Sequence, residues 1–344
     1  MKAARWFGQK DIRVVDVPAP SVGDNQVKIE VKNTGICGSD LHEYLGGPIF
    51  IPAKEPHFYS KQKAPITLGH EFSGQICEVG KNVTNVKVGD RVTVEPILAK
   101  NGLVGKYNLD PHLGFVGLSG DGAFAEFVVV DAGLVYKLPE NVDFEQGALV
   151  EPSAVALYAV RKSGIQAGDS AAVFGCGPIG LLVIEALRAS GANTIYAVEV
   201  AKERQDKARE IGAIVVDPTK VNAVDFIRKE SGGGVDYSFE VTGVPPVLQQ
   251  SIESVHHDGT CVIVSIWEKE AQIHPNEIVI KEKTVKGIIA YRDVFPLVLQ
   301  LMEKGYFAKE KFVTKRIKLD NIVQEGFEAL VKEKNQVKIL VSPK

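Results

Sequence analysis

The sequence of 344 residues has few cysteines, no excess of positive charge and no long apolar run. Its four cysteines share no repeated spacing, and hydrophobic residues make up 45% of the chain, so neither a small disulfide-stapled protein nor a disordered chain fits. Lysine and arginine number 40 against 43 aspartate and glutamate residues. This net charge of −3, without a basic run, gives no support to a nucleic-acid or membrane-surface partner.

No apolar run reaches the roughly 18 residues that a membrane helix needs. The opening segment MKAARWFGQK also has no apolar signal core. These two absences predict a cytoplasmic protein. At about 150 residues per domain, the length predicts two domains.

Two regions of the sequence differ in their secondary-structure pattern. The first 145 or so residues carry β-rich segments bounded by Gly, Asp, Asn and Pro, which predicts an antiparallel, barrel-like domain. From about residue 146, apolar strands alternate with helices, which is typical of a parallel, doubly wound Rossmann-type sheet. After about residue 290 the pattern changes to amphipathic helices and a closing strand.

The predicted fold class is therefore α/β with a discontinuous first domain. Residues 1–152 and 290–344 are expected to form the β-rich domain, and 153–289 the dinucleotide-binding domain. Two of the expected elements are a helix over 245–257 and an amphipathic helix over 319–334.

A glycine-rich turn, GCGPIG at residues 175–180, follows the strand SAAVF and opens a helix. In such a turn the first glycine permits the tight bend, the second lets backbone approach a pyrophosphate, and the third lets helix pack on strand. The helix N-terminus offers unpaired N–H groups to the phosphates. The predicted cofactor contacts in this turn are Gly175, Gly177, Pro178, Ile179 and Gly180.

The end of the next strand predicts which dinucleotide binds. Glu199 stands about 20 residues after the glycine turn, where a carboxylate bonds ribose hydroxyls and repels a 2′-phosphate, so NAD is favoured over NADP. Lys202 and Arg204 follow closely, and they either soften that preference or form a solvated helix face. The residues predicted to line the nicotinamide side are Thr242, Ser265 and Ile266.

Four residues are of the types that hold zinc. Cys37 lies in GICGSDLHEY, His70 and Glu71 lie in TLGHEFSG, and Glu151 lies in LVEPSAV. Together they offer a thiolate, an imidazole and carboxylates, a set suited to zinc with an open fourth position. A catalytic zinc uses that position to bind water or a substrate oxygen. Their spacing alone does not show that they converge.

These motifs together resemble the zinc-dependent medium-chain alcohol dehydrogenases over nearly the whole chain. The matching segments are CGSD at 37–40 with His42, GHE at 69–71, VGDRV at 88–92, Glu151-Pro152 and the glycine turn. The combination is specific, whereas each part alone is common. The resemblance implies a GroES-like β-rich catalytic domain beside the Rossmann-type domain, with one catalytic zinc and NAD as cofactors.

The resemblance also implies a role for each candidate metal ligand. Cys37, His70 and Glu151 are expected to surround the catalytic zinc. Glu71 is ambiguous, because in some relatives this position ligates directly while the carboxylate matching Glu151 acts through water. Either glutamate is therefore expected to reach the metal at some stage of catalysis.

The same resemblance implies that Ser39 and His42 carry away the proton that the substrate hydroxyl loses. Ser39 is expected to accept it from the substrate oxygen, and the cofactor ribose to pass it on to His42 near the surface. A histidine suits this role because an unperturbed imidazole has a pKa near 6.5. An exposed turn histidine is the alternative interpretation of His42. Asp40 is expected either to orient a zinc-ligating histidine or to cap a helix.

One departure from the family concerns a second, structural zinc. Many relatives hold it on four closely spaced cysteines after the strand that DRVTVEP matches, but the corresponding segment here, ILAKNGLVGKYNLDPHLGF, has no cysteine. The sequence therefore predicts one zinc per subunit. We expect loop packing, or polar contacts of Asp110 and Lys100 or Lys106, to hold this lobe instead.

Within the family, GGPIFIP…TLGHEFSG and the tail QVKILVSP look most like 2,3-butanediol dehydrogenases, which interconvert acetoin and butanediol. The resemblance implies a small secondary alcohol or ketone as substrate, diacetyl reduction, and a homodimer or homotetramer. Sorbitol and other polyol dehydrogenases are the nearest alternative. A non-catalytic binding protein and a zinc-independent quinone reductase on the same fold are disfavoured, because every expected metal ligand is present.

Overall fold

The computed structural model describes residues 1–100, 105–333 and 335–344, and it divides them into two compact units. The first unit comprises Met1–Glu151 and Phe295–Lys344, and the second comprises Pro152–Val294. The first unit is thus interrupted in sequence by the second. Among the described residues, no helix has the length and apolar character needed to cross a membrane.

Strands dominate the first unit. Its described strands are β1 (Lys2–Gly8), β2 (Asp11–Asp16), β3 (Gln26–Gly35), β4 (Ile66–Thr67), β5 (Glu71–Val79), β6 (Arg91–Val94), β7 (Ile97–Leu98), β8 (Gly114–Phe115), β9 (Phe127–Asp131), β10 (Val135–Lys137), β17 (Val313–Lys318) and β18 (Lys338–Ser342).

These strands pair mostly antiparallel. The main sheet has the order β10-β6-β5-β3-β18-β17, with β9 also paired to β3, and only β17 and β18 run parallel among its described pairs. A second sheet has the order β2-β1-β4, and β7 pairs with β8. Alternate residues of β3, Val27, Ile29 and Val31, are buried against Phe72 and Ile76 of β5, so the two strands share one apolar core.

Short helices join and follow these strands. The described α-helices of the first unit are α1 (Gly38–Gly46), α2 (Phe144–Gly147), the start of α3 (Val150–Ser163), α9 (Phe295–Glu303), α10 (Lys309–Phe312) and α11 (Glu328–Lys332).

The predicted amphipathic helix over 319–334 was wrong as a single α-helix. The chain instead forms a 3₁₀ turn at Leu319–Asn321, a π-helical turn at Ile322–Phe327 and then α11. Gly326 is the reason, since glycine is a weak helix former and its lack of a side chain lets the turn pack directly on Ile36.

The second unit alternates strands and helices. After α3 its described elements are β11 (Ser170–Phe174), α4 (Pro178–Ala189), β12 (Thr194–Val198), α5 (Lys202–Glu210), β13 (Ile214–Val216), α6 (Ala223–Ser231), β14 (Val235–Glu240), α7 (Pro245–Ser254), β15 (Val255–Ile263), α8 (Pro275–Val279) and β16 (Thr284–Gly287).

The described strands of this unit form one parallel sheet in the order β13-β12-β11-β14-β15-β16. The order reverses direction between β11 and β14. In doubly wound sheets, ligands bind at the carboxyl ends of the strands beside such a reversal. The sheet therefore locates a candidate dinucleotide site at the ends of β11 and β14.

The predicted helix over 245–257 was too long. Helix α7 ends at Ser254, and Val255 already pairs with Val235 of β14. The register between β14 and β15 then shifts, and Asp258 takes a φ of 64°. A β-branched residue that reaches a strand partner thus overrode the helical pattern.

Candidate metal and cofactor sites

The metal-ligand candidates meet where β3 ends and β5 begins. Gly35, the last residue of β3, pairs with Glu71, the first residue of β5. Two residues after Gly35, Cys37 caps the start of α1. A Cβ at Gly35 would lie 2.3 Å from Glu71 Oε2, so only glycine admits that carboxylate at this point. The antiparallel pairing thus brings together residues that are more than 30 positions apart in sequence.

Cys37, His70 and Glu71 form a cluster of potential metal ligands. One ligand atom from each lies within 4.8 Å of the other two. His70 and Glu71 are buried, while Cys37 is partly exposed. A thiolate, an imidazole and a carboxylate with one accessible side fit a zinc ion that keeps an open coordination position. The donor set therefore fits the metal predicted from the sequence.

Asp40 and Ser39 of α1 flank the two ring nitrogens of His70. The Asp40 carboxylate accepts the Cys37 N–H at 2.9 Å, and its other oxygen lies 3.4 Å from His70 Nδ1. Ser39 Oγ lies 3.2 Å from His70 Nε2. Burial alone lowers the pKa of His70, but the negative charges of Asp40 and Cys37 outweigh it and hold the pKa well above 6.5. The cluster therefore attracts positive charge, as a metal site must.

Lys338 of β18 is a buried cation in this cluster that the sequence reasoning missed. Its Nζ donates to the two carboxylate oxygens of Glu71 at 2.7 and 2.5 Å and to the Ile36 carbonyl at 3.3 Å. Both charged side chains are buried. Burial lowers the pKa of Lys338, but Glu71, Cys37 and Glu151 raise it by more, so the lysine is charged. A lone lysine in the apolar strand QVKILVSP was the available signal.

The other predicted residues of this site take different positions. Glu151 lies buried in the first turn of α3, and its charge acts on Lys338. Among the described residues, it does not join the three-ligand cluster. His42 is half-buried on α1, three residues after Ser39. The structure thus brings Cys37, His70 and Glu71 together and places Glu151 outside their immediate group.

A buried glutamate on α1 anchors the long segment that follows the helix. The Glu43 carboxylate accepts main-chain N–H groups from three successive residues, Ile49, Phe50 and Ile51. Residues 46–70 are turn-rich, and their beginning is tied to the same helix that carries Cys37 and Ser39. No feature of the sequence identified Glu43 beforehand.

The lobe without cysteines is held in part by Asp110. Its carboxylate accepts the Tyr59 hydroxyl at 2.6 Å and the main-chain N–H of Lys100 at 3.3 Å. Asp110 thus makes polar contacts in this lobe, as expected. Lys100 takes part through its main-chain N–H, and Lys106 is exposed. Residues 101–104 of this segment lie outside the described residues.

In the second unit, the three glycines of the glycine turn occupy three different environments. Gly175 has a φ of 94°, and a Cβ at Gly180 would lie 1.9 Å from the Gly175 carbonyl oxygen. By contrast, a Cβ at Gly177, which caps α4, would meet no atom within 4 Å. The first and third glycines are therefore needed for the turn and for packing, and the second leaves open space at the helix N-terminus. Pro178 begins α4 and is followed by Ile179.

Glu199 follows β12 and is held in a fixed orientation. Its carboxylate accepts N–H groups from Cys176, Val200 and Ala201 at 2.8 to 2.9 Å. These bonds use three of the roughly four acceptor positions of a carboxylate, which leaves about one for a ribose hydroxyl. Arg204 is half-buried, and its Nε lies buried without a hydrogen-bond partner.

The residues predicted for the nicotinamide side lie beyond the ends of β14 and β15. Thr242 and Ser265 both bond the carboxylate of Glu240, the last residue of β14. The Ile266 side chain is 52% exposed, so it is available for contact. Glu240 is fully buried, and the sequence reasoning did not single it out.

Comparison with known families gives two matches along the chain. Residues 23–140 match the alcohol dehydrogenase GroES-like domain, and residues 178–304 match the zinc-binding dehydrogenase family. These matches confirm the predicted α/β fold class and the predicted family resemblance.

Similar proteins extend the match to the full length. The chain is 64% identical to the (R,R)-butanediol dehydrogenase of Bacillus subtilis, with 100% of both chains covered. It is 32% identical to a sorbitol dehydrogenase of the same organism, which covers 100% of this chain and 97% of that protein.

Two solved structures have the same fold. The crystal structure of 2R,3R-butanediol dehydrogenase from Bacillus subtilis matches with a TM-score of 0.98 at 63% identity, over 100% of this chain and 99% of that one. A protein from Sinorhizobium meliloti 1021, described as a zinc-binding dehydrogenase and solved with NADP, matches with a TM-score of 0.90 at 31% identity over 99% of both chains.

Proposed function

Because the chain belongs to the family of zinc-binding alcohol dehydrogenases, we propose that it is an oxidoreductase that interconverts 2,3-butanediol and acetoin, with zinc and NAD as cofactors. Reduction of diacetyl is part of the same proposal. The observation that carries it is the cluster of Cys37, His70 and Glu71, whose ligand atoms lie within 4.8 Å of one another. The high full-length identity to a butanediol dehydrogenase supports this substrate over sorbitol.

The cofactors supply the central chemistry. Bound by Cys37, His70 and a glutamate, zinc would lower the pKa of an alcohol hydroxyl, and bound NAD would accept hydride from the adjacent carbon. The protein holds the metal ligands in place. In this chain, Asp40 Oδ1 lies 3.4 Å from His70 Nδ1, and we infer that it orients the ring, as outer carboxylates do around metal sites.

Ser39 and His42 are proposed to move the proton. The Ser39 hydroxyl lies beside His70 Nε2, which faces away from Asp40, and therefore at the edge of the ligand cluster. It can accept the proton that the substrate hydroxyl loses. The cofactor ribose and then His42, half-buried one turn further along α1, are proposed to carry that proton to solvent.

The two glutamates are proposed to have alternating roles. Glu71 belongs to the cluster and accepts hydrogen bonds from Lys338. Glu151 lies outside the cluster, and its negative charge raises the pKa of Lys338. Lys338 balances whichever carboxylate the metal does not neutralise. A zinc-edge spectrum that does not change in Glu71→Gln would contradict direct ligation by Glu71.

The first experiment measures NADH formation from (R,R)-2,3-butanediol and from sorbitol, side by side. We expect fast turnover of butanediol, little with sorbitol, and loss of activity on chelation that added zinc restores. Preference for sorbitol would assign the same site to polyols. No turnover of either alcohol by zinc-loaded protein would refute the proposed oxidation.

Four finer parts of the proposal have separate tests. Elemental analysis is expected to give one zinc per chain, and two zinc ions would contradict the prediction that the segment without cysteines holds no structural zinc. Specificity constants with NAD and NADP test the preference assigned to Glu199. Light scattering of purified protein tests the proposed homodimer or homotetramer, and fractionation of the source cells tests the cytoplasmic location.

A further inference from the structure

One buried carboxylate in the second unit has an unusual set of partners. Glu240 is fully buried at the carboxyl end of β14. Its Oε1 accepts the N–H of Thr242 at 2.7 Å, the N–H of Gly243 at 3.1 Å and the Thr242 hydroxyl. Its Oε2 accepts the Ser265 hydroxyl. Four donors from two separate segments thus converge on one side chain.

Glu240 lies at the candidate dinucleotide site of the sheet. The residue ends the strand next to β11, at the point where the strand order reverses. The glycine turn that follows β11 is in contact with the segment that Glu240 holds, since a Cβ at Gly175 would lie 2.6 Å from the Thr242 methyl group. In doubly wound sheets a dinucleotide crosses this crevice.

The two halves of the dinucleotide are expected to contact the segments that follow different strands. Glu199, beyond β12, is placed for the adenosine ribose, and the glycine turn after β11 is placed for the pyrophosphate. The nicotinamide half must then extend to the other side of β11, over the segments that follow β14 and β15. Those are the segments that Glu240 binds.

We propose that Glu240 is a positioning residue for the nicotinamide half of the cofactor, because its buried carboxylate holds Thr242–Gly243 and Ser265 in the arrangement that receives that half. This inference rests on the proposed NAD-dependent function. Glu240 acts through the two segments and not by touching the substrate.

Asp236 provides a matched control on the same strand. It lies near the amino end of β14, at the opposite edge of the sheet. Its carboxylate also accepts a serine hydroxyl and a main-chain N–H, both from Ser170, at 2.6 and 2.7 Å. Asp236→Ala removes these bonds and the one from His256 Nε2 at 2.9 Å, all at the end of the sheet opposite the candidate cofactor site.

The test compares two probes on the full-length, zinc-loaded protein. NADH carries both halves of the cofactor, whereas ADP-ribose lacks nicotinamide. In Glu240→Ala we expect the Kd for NADH to rise about tenfold or more, as loss of bonds to a charged group implies, and the Kd for ADP-ribose to stay within about threefold. Asp236→Ala is expected to leave both values within about threefold.

Two further variants keep the proposal falsifiable. Glu240→Gln retains the size and an acceptor oxygen, and we expect it to restore most of the NADH affinity. Should Glu240→Ala fail to fold, Glu240→Asp replaces it, because a carboxylate one methylene shorter cannot reach both segments. The same selective loss of NADH affinity is expected.

Specific results would overturn the inference. An unchanged NADH affinity in the folded Glu240→Ala or Glu240→Asp variant would do so. Equal losses for NADH and ADP-ribose, or an Asp236→Ala variant with the same selective loss, would show that the effect is general destabilisation. If the unmodified protein binds neither probe, the proposed NAD dependence itself fails, which the wild-type titration reveals separately.

Discussion

Buried carboxylates lie at the candidate sites of both units, but their partners differ. In the first unit, Glu71 is paired with the ammonium group of Lys338 and Asp40 lies beside His70. In the second, Glu199 accepts only main-chain N–H groups in the described structure, and Glu240 accepts N–H groups and hydroxyls. Cationic side chains balance the negative charge in the first unit, and N–H and O–H dipoles do so in the second.

The difference matches what each site is proposed to bind. A carboxylate balanced by a cation can exchange that partner for another cation, so the first arrangement suits a metal ion. A carboxylate held by amide N–H groups keeps its orientation, so the second arrangement suits a ligand recognised by hydrogen bonds. The following predictions test this contrast, beginning with the largest effect.

Removing a metal ligand is expected to disable one site and leave the other intact. Cys37→Ala should lose more than about 100-fold in zinc affinity, since loss of even an outer partner costs 10–100-fold. Butanediol oxidation should fall with it, while the Kd for NADH stays within about threefold. Zinc analysis and NADH titration measure the two effects. Cys77→Ala, an exposed cysteine on β5, is the control. Loss of NADH binding in Cys37→Ala would show that the sites are not independent.

Removing the buried cation is expected to destabilise the zinc-free protein. Lys338→Met leaves Glu71 buried and unpaired, which costs about 3–5 kcal/mol in comparable buried pairs. Zinc should recover part of this loss, because it supplies positive charge beside the same carboxylate. Thermal unfolding with and without a chelator measures both effects, and Lys338→Arg is the charge-preserving control. Equal destabilisation with and without zinc would refute the exchange of cations.

Neutralising the fixed carboxylate is expected to change cofactor choice. Glu199→Gln keeps the size but removes the charge, so NAD affinity should fall about ten- to a hundredfold and discrimination against NADP should shrink. Titration with both dinucleotides measures this. Glu203→Gln, an exposed carboxylate in the first turn of α5, is the control. A variant that still rejects NADP would remove Glu199 from the specificity argument.

The smallest effect is expected at the amino end of β14, in the parallel sheet of the second unit. There His256 pairs with the carboxylate of Asp236, and both side chains are partly exposed. Partial burial lowers the pKa of His256, but its hydrogen bond to Asp236, another to the His257 carbonyl and the Asp236 charge outweigh burial and raise the pKa above 6.5. Asp236 accepts from His256 Nε2 at 2.9 Å.

A raised histidine pKa gives stability that is fully present below 6.5 and is lost as the pH rises through the folded value. His256→Gln should therefore destabilise the protein at about pH 5.5 and not at about pH 9. The loss should be only about 0.5 kcal/mol, because both side chains are more than a third exposed and water screens the pair. Denaturant unfolding at both pH values measures it, with His257→Gln as the control. A larger loss at the higher pH would reverse the assigned sign.

The two sites were not equally predictable from the sequence. The glycine turn occupies six consecutive residues, so its geometry can be predicted from the local sequence. Cys37 and His70-Glu71 were identified by residue type and family resemblance, but their convergence depends on the pairing of β3 with β5. Spacing along the chain does not reveal such pairing.

Buried charges and helix ends were the parts that sequence reasoning missed. Lys338 and Glu240 lie in strands, where a charged residue is ordinarily an exposed position of the alternating pattern. The burial of Lys338 depends on Glu71, 267 residues away in sequence, and that of Glu240 on donors in the loops that follow β14 and β15. Likewise, the helical pattern continued through Val255 and Gly326, where a strand partner and close packing determined the backbone instead.

The late position of Lys338 in the sequence determines when the charged groups of the candidate metal site can pair during synthesis. It follows Glu71 by 267 residues, and the entire nucleotide unit is translated between them. A nascent chain that has released Cys37, His70 and Glu71 from the ribosome therefore still lacks the lysine that offsets the negative charges of Glu71 and Cys37. Until β18 is made and inserted beside β3, a captured metal ion or solvent must balance these groups. A strand translated after the whole second unit thus completes the charge balance of a site whose other residues precede that unit.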